Sequence, residues 1–384
     1  MTKDEQFGFR IGRAFGVDIY IRPAWLLVFG LLIYIFASHM ASDEDFATLQ
    51  KGALYLLATA TSICLYITLL AHEFGHALAA KHFGIRTRRI SVHFFGAATH
   101  TEREARTPKE EFWITLWGPL VSLLCSALFG LLAGVAHVVG GAGYLVQVFG
   151  IVAGMNFFLF IVNLAPGLPL DGGRILRSII WRETGSFLKG TKVAAVAGRA
   201  IGSGMIGLGI IAAIGWRSFD GVIFVMLGWF MIRLSKHSLL HAELITSFEH
   251  LTVRDLMRPI EIVIPADALA SEADQGFFQK YFAADWFPVV RDQYLLGYVD
   301  RAAIAALEPR QMDWVRVTEL VSPFSREMTI SPDVDAFSAF VRFSTTRAPQ
   351  LPVFEDKQFV GILREVDLAD FLNAKRLAMG GINK

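Results

Sequence analysis

The 384-residue sequence predicts a polytopic α-helical membrane protein with a smaller α/β domain at its C-terminal end. Three observations carry that expectation. Hydrophobic residues make up 54% of the chain and charged residues only 18%. The apolar residues are gathered into about six stretches, at 24–40, 53–80, 112–139, 144–164, 194–214 and 222–234. Crossing a hydrocarbon core of ~30 Å takes about 20 apolar residues, and only the last stretch is clearly short of that. Past residue 240 the chain becomes mixed in charge and repeats itself. Residues 253–257 answer to 317–321, Pro288-Val289 to Pro352-Val353 and Gly297 to Gly361, a constant spacing of 64 residues that indicates duplication. The expected domains are 1–240 in the membrane and 250–384 outside it, with repeats at about 252–308 and 316–373. Each repeat reads as a strand, a helix (270–284 in the first), two strands and a last helix.

The N-terminal tail, with Lys3, Arg10, Arg13 and Arg22, is too polar for a cleaved signal peptide, so the first apolar run is read as a retained helix. The second apolar stretch carries His72-Glu73-Phe74-Gly75-His76 near its end. Helical positions four apart share a face, so both histidines can point at one zinc ion while Glu73 reaches the water to be activated. Ionisable side chains at membrane depth are costly, which favours a functional role over packing. A hydrolytic zinc site takes three protein ligands and keeps one position open.

The third candidate ligand is Asp171, in Asn163-Leu-Ala-Pro166-Gly-Leu-Pro169-Leu-Asp171-Gly172-Gly173. The prolines stop the fourth helix, and Gly172-Gly173 are expected to allow unusual backbone angles beside the carboxylate. Read alone, this stretch favours a Pro/Gly turn whose Asp caps the next helix. The charge distribution reverses that preference. Lys and Arg cluster in the N-terminal tail, between the second and third apolar stretches (Lys81, Arg86, Arg88, Arg89, Arg103, Arg106, Lys109) and between the fourth and fifth (Arg174, Arg177, Arg182, Lys189, Lys192, Arg199). The opposite loops hold little beyond Lys51 and Arg217. Positive charge marks the cytoplasmic side, so both termini of this multi-pass inner or cell membrane protein are expected in the cytoplasm. The second and fourth helices then both run inward, and His72, His76 and Asp171 meet on one side.

These paired motifs resemble the site-2 protease family of intramembrane zinc metalloproteases, in which an H-E-x-x-H helix is completed by N-x-x-P-x-x-P-x-D-G-G. Here the second pattern is Asn163, Pro166, Pro169, Asp171, Gly172 and Gly173, and the resemblance covers roughly residues 5–235. It implies one Zn2+ per chain held by His72, His76 and Asp171. It further implies Glu73 as general base and Asn163 as the group that positions or polarises the scissile carbonyl. Asn156, seven residues earlier and so on the same helix face, is read either as a support for Asn163 or as a helix-to-helix hydrogen bond. Residues 90–99 resemble the family's short membrane-dipping β-ribbon, whose edge could take up a substrate strand. His93 and His100 in and beside it are not expected to bind the metal, since three ligands are already present. The Trp117-Gly118-Pro119-Leu120 run resembles the family's third core helix. Gly150/Gly154 and Gly198/Gly202 are read as close helix contacts.

The C-terminal repeats resemble a tandem pair of CBS domains, a module that in many relatives binds an adenine nucleotide. The second repeat keeps Gly361 and Asp367 of the nucleotide pattern but has Arg364 at its hydroxyl position. The first has Asp300 there and Ala303 in place of the ribose Asp. Asp367 is therefore the candidate nucleotide residue, for ATP or AMP at one site at most. The competing reading is a structural domain or one that forms a homodimer, with Asp367 favourably placed at a helix N-terminus.

Cys64 and Cys125 lie in apolar stretches, so neither a disulfide framework nor a thiolate metal site is expected. A net charge of +1 without a basic run argues against nucleic acid as a partner. The resulting expectation is regulated intramembrane proteolysis. The protein would be a zinc endopeptidase in the lipid bilayer, cutting a transmembrane or membrane-associated regulatory protein near the cytoplasmic face, gated by its CBS pair. The alternative is a catalytically silent transporter or receptor controlled by the CBS repeats. Glu73 counts against it, because a mere metal holder has no need of a base.

Overall fold

The structure, a computed structural model, describes residues 8–46, 49–93, 96–215, 219–259, 262–282, 286–292, 294–324, 328–346, 350–356 and 358–380. The chain divides into two compact units, Met1–Glu243 and Leu244–Lys384. Arg217, Phe94-Phe95 of the expected ribbon and the end of the expected 270–284 helix lie outside the described residues.

The first unit opens with a hairpin of β1 (Phe9–Ala14) and β2 (Val17–Ile21), in a stretch the sequence reading took for a polar tail. Its two-residue turn puts both Phe15 (φ 52°) and Gly16 (φ 85°) in the left-handed region, the geometry that lets two twisted strands reverse tightly. Helix α1 (Ala24–Ala41) follows, then α2 (Lys51–His82), β3 (Thr87–His93) and β4 (Gly96–Thr101). The expected ribbon thus belongs to a four-stranded sheet in the order β1-β2-β3-β4, with β2 and β3 parallel and the other pairs antiparallel. One edge of that sheet is β4.

Four long helices and one short one complete the unit: α3 (Pro108–Val138), α4 (Gly143–Asn163), α5 (Asp171–Thr184), α6 (Phe187–Gly215) and α7 (Phe219–Ser247). Thr107 starts α3 by accepting the Glu110 N–H, with Pro108 at the first helical position where no N–H is needed. Among the described residues six helices, α1–α4, α6 and α7, are long and apolar enough to cross a membrane. Their outward faces are apolar, with Leu27, Leu56 and Leu131 about two-thirds or more exposed (73%, 72% and 65%), while the buried stripe of α3 carries Glu111, Thr115, Gly118 and Ser122 beside Ile114 and Pro119. This inverted pattern suits lipid outside and a site within. The sixth helix runs well beyond the apolar stretch 222–234.

Gly198 and Gly202 do mark close contacts. A Cβ on Gly198 would strike the Leu168 carbonyl, and one on Gly202 would lie 2.7 Å from the Gly228 carbonyl. Gly150 and Gly154 do not, since nothing lies within 4 Å of either added Cβ. They face open space on α4.

The second unit contains two three-stranded sheets. Its elements are α8 (Val253–Leu256), β5 (Arg258–Pro259), β6 (Ile264–Pro265), α9 (Ala270–Ala273), β7 (Trp286–Arg291), β8 (Tyr294–Asp300), α10 (Arg301–Ala305), α11 (Ala336–Thr346), β9 (Gln350–Glu355), β10 (Gln358–Arg364) and α12 (Glu365–Gly380). Each repeat lends its first segment to the other. Arg258 pairs with Ile362 of β10, and the equivalent Ser322 pairs with Tyr298 of β8. Val253 accordingly lies in the core around Phe343, Leu351 and Leu363, whereas Val317 lies in the core around Phe278, Phe287 and Val299. The spacing of 64 does not hold throughout. Ala270 N–H binds the Val315 carbonyl just as Ala336 N–H binds that of Leu251, so the two helix starts are 66 residues apart. Two residues gained before the helix and lost after it leave the flanking strands in register.

Candidate metal centre

His72, Glu73 and His76 lie on α2 and are buried, at 3%, 7% and 7% exposure. The Nε2 atoms of His72 and His76 are 3.2 Å apart, and Asp171 Oδ2 is 3.2 Å from the first and 3.4 Å from the second. A tetrahedral zinc ion with bonds of about 2.0–2.1 Å separates its ligand atoms by about 3.3 Å. The three atoms are therefore spaced to fit that ion.

Both imidazoles are oriented from behind. His76 Nδ1 is 2.8 Å from the Ile114 carbonyl, which fixes a proton on Nδ1 and leaves the Nε2 lone pair for a metal. His72 Nδ1 is 2.8 Å from Ser122 Oγ, a hydroxyl that holds the ring in place and can accept from or donate to it. The backbones of α2 and α3 close up at two glycines. A Cβ on Gly75 would be 2.8 Å from the Trp117 carbonyl, and one on Gly118 would strike the His76 ring and stand 2.9 Å from His72 Nε2. Gly118 thus forms the floor on which the two rings rest.

Asp171 is the first residue of α5, brought into place by the loop that ends α4. The Leu168 N–H binds the Ala194 carbonyl at 3.1 Å, and the Leu168 carbonyl accepts from Ser235 Oγ at 2.5 Å. Gly172 and Gly173 adopt ordinary helical angles, contrary to expectation. Their requirement is proximity: a Cβ on Gly172 would strike the Leu164 carbonyl, and one on Gly173 the Gly167–Leu168 peptide. Further along α5, Arg177 Nε donates to Glu111 Oε1 at 2.9 Å, and its Nη2 meets the same oxygen. Arg174 approaches that oxygen at 3.7 Å. Glu111 is 1% exposed, so this ion pair ties α5 to α3 in a dry setting.

Glu73 Oε2 accepts a hydrogen bond from Thr99 Oγ1 of β4 at 2.7 Å, and the Glu73 carbonyl lies 3.2 Å from the same hydroxyl. Asn163 is the last residue of α4 and half-buried. Asn156 is buried and donates to the Val152 carbonyl of its own helix at 2.8 Å, while its Oδ1 has no hydrogen-bond partner among the described residues. Among the described residues the metal-capable cluster that includes His72, Glu73 and His76 contains neither His93 nor His100. Asp367, in the other unit, receives Arg364 and Arg258 on its carboxylate at 2.6–2.9 Å.

The sequence reading missed Ile114, Ser122, Thr99 and the Glu111–Arg177 pair. A signal was available for part of this: Glu111, Thr115, Gly118 and Ser122 recur at three or four residues along an otherwise apolar helix, a polar stripe that apolar packing does not require.

A helical bundle with lipid-facing walls around two histidines and a carboxylate defines a membrane-embedded metallohydrolase. Residues 60–141 and 133–205 match the model of Peptidase family M50, and residues 317–374 match the CBS domain. The chain is similar to that peptidase family over residues 60–205, and with relatives named as zinc metalloproteases it is a zinc metalloprotease carrying a CBS module. The Synechocystis sp. protein sll0528 is 27% identical over 94% of both chains. Zinc metalloprotease MJ0392 of Methanocaldococcus jannaschii is 26% identical over 80% of this chain and 83% of its own length. A solved site-2 protease from Methanocaldococcus jannaschii aligns with 22% identity and a TM-score of 0.41 over 61% of this chain and 95% of its own.

Proposed function

We propose that this metalloprotease cuts a transmembrane or membrane-associated regulatory protein close to the cytoplasmic face, with His72, His76 and Asp171 holding zinc, Glu73 as general base and Asn163 beside the scissile carbonyl. The observation that carries the reading is the convergence of two imidazole nitrogens and one carboxylate oxygen at 3.2–3.4 Å, with Glu73 adjacent. Zinc, when bound there, supplies Lewis acidity that polarises a carbonyl and makes water nucleophilic near neutral pH. Glu73 takes the proton from the attacking water and returns it to the leaving amine nitrogen. The Ile114 carbonyl keeps His76 in the ligating tautomer, and the Ser122 hydroxyl holds the His72 ring in orientation.

A substrate helix hides its carbonyls in its own hydrogen bonds and has to unwind before attack. The edge of β4 offers an extended segment a backbone to pair with, close to Glu73. The ligand-bearing end of α2 and the start of α5 adjoin the Arg/Lys-rich loops, which supports a cytoplasmic site and cytoplasmic termini. Residues 1–240 form the protease domain and 250–384 the CBS pair in this reading.

The CBS pair gates cleavage by binding ATP or AMP with Asp367 on the ribose, or acts by pairing two chains. Nucleotide use of Asp367 competes with its bonds to Arg258 and Arg364. Added ATP or AMP should change cleavage and bind the full chain with Asp367 dependence; no effect of either removes the nucleotide version. For the protease itself, Glu73→Gln should retain zinc while uncut proteins accumulate in the membrane fraction. Unchanged proteolysis in that variant would overturn the assignment of Glu73.

A further inference from the structure

We infer that Thr99 is a positioning residue for the reaction: it holds the Glu73 carboxylate in working orientation and ties it to the strand that takes up substrate. The inference rests on the proposed role of Glu73 as base and adds to it a residue that the metal-binding motifs do not contain.

The geometry is specific. Thr99 stands on β4 opposite Ile90 of β3, and Ile90 is fully buried at 0% exposure, so this face of the ribbon is turned inward. The Thr99 hydroxyl reaches Glu73 Oε2 at 2.7 Å, a short bond of the charge-assisted kind, stronger than one between neutral groups. With Oε2 engaged, the other carboxylate oxygen is the one left to take a proton from water. The hydroxyl also lies 3.2 Å from the Glu73 backbone carbonyl. That second acceptor anchors Thr99 to the first turn of the H-E-x-x-H segment whichever way the side chain of Glu73 turns.

Strand β4 is an edge strand of its sheet, and its neighbour β3 occupies one side only. An extended peptide adding to the open side hydrogen-bonds to the backbone of the strand whose side chain holds the base. Shifting β4 shifts Glu73, and ordering β4 by pairing orders Glu73. Substrate uptake and base orientation are in this way parts of one mechanical unit.

The test separates a hydrogen bond from packing by a pair of substitutions with opposite expectations. Thr99→Val keeps the size and branching but removes the hydroxyl; Thr99→Ser keeps the hydroxyl and loses a methyl group. Full-length native, Thr99→Val, Thr99→Ser and Glu73→Gln chains are expressed in cells lacking the native copy. New protein N-termini that vanish in Glu73→Gln membranes are then quantified in each, and zinc per chain is measured on the purified proteins. A hydrogen bond to a charged group is worth enough that Thr99→Val should lower the Glu73-dependent N-termini about 10-fold or more, with zinc content unchanged. Thr99→Ser should remain near native. Equal output from Thr99→Val and the native chain, or a greater loss in Thr99→Ser than in Thr99→Val, overturns the inference and leaves Thr99 a packing residue. Absence of any Glu73-dependent N-terminus overturns instead the protease assignment on which it rests.

Discussion

Replacing Gly118 by Ala should empty the metal centre without unfolding the protein. The added Cβ would strike the His76 imidazole and stand 2.9 Å from His72 Nε2. Non-bonded carbon and nitrogen need about 3.5 Å, so the His72 ring has to retreat by roughly 0.6 Å and the His76 ring by more. Metal sites tolerate ligand displacements of about 0.2 Å. Neither ring can simply pivot, because each Nδ1 is held from behind, by Ser122 Oγ and by the Ile114 carbonyl at 2.8 Å. The displacement is about three times the tolerance, so zinc affinity should fall about 100-fold or more, roughly 2.8 kcal/mol. The assay is zinc content by mass spectrometry of the purified chain, with competition against a chelator of known affinity and far-UV circular dichroism to establish folding. A folded Gly118→Ala chain holding one zinc ion at native affinity would refute the placement of α3 against the two rings.

Other outcomes follow from the same coordinates. Glu111→Ala leaves the Arg177 guanidinium, only 12% exposed, without its partner, and should cost about 3–5 kcal/mol in thermal unfolding as well as loosening Asp171. A denaturation midpoint unchanged from native would show that the pair does not clamp α5. Val253→Ala and Val317→Ala should each destabilise the C-terminal unit by about 2 kcal/mol, because each valine fills the core of the opposite repeat. Denaturant unfolding of the full chain should show a single transition for both repeats in either variant, and two separate transitions would contradict the exchange of segments. Asp367 is drawn up by burial, but hydrogen bonds from Arg364 and Arg258 outweigh this and hold its carboxyl below the usual range. A depressed folded-state pKa means that the stabilisation is complete above the unfolded value of about 3.9 and is lost as pH falls through the lower folded value. Acid unfolding should therefore shift to higher pH in Arg364→Ala, and an identical acid limb would contradict the pairing.

The sequence revealed the helices better than what lies between them. Apolar length alone located six described helices long enough to cross a membrane, because a bilayer imposes a length that a run of side chains must meet. It did not reveal how far α7 continues, since residues past 234 mix polar and apolar side chains and break the apolar run. The β1–β2 hairpin escaped notice because a register shift between Arg10 and Gly12 breaks the alternation that marks a strand. The proposed metal ligands on α2 were legible as residue types at fixed spacing, and Asp171 could be joined to them only through topology. Ser122 and Thr99 were not legible, because a hydroxyl has no distinctive spacing and its partner lies far away in sequence. The roles of the glycines were partly misread for a related reason. Sequence marks a missing side chain, but only coordinates distinguish a backbone that bends, as expected at Gly172, from one that something else approaches. In the repeats, equal flanking spacings concealed the two-residue displacement of the helices, since gain and loss cancel across the loops.

The central claim, that His72, His76 and Asp171 hold one zinc ion, is tested most directly by X-ray absorption at the zinc edge on the purified full-length chain and its Asp171→Ala variant. The native protein should give two imidazole nitrogens and a carboxylate oxygen at about 2.0–2.1 Å, with the carboxylate contribution missing and zinc bound more weakly in the variant. An identical zinc environment and affinity in the two proteins would contradict the account.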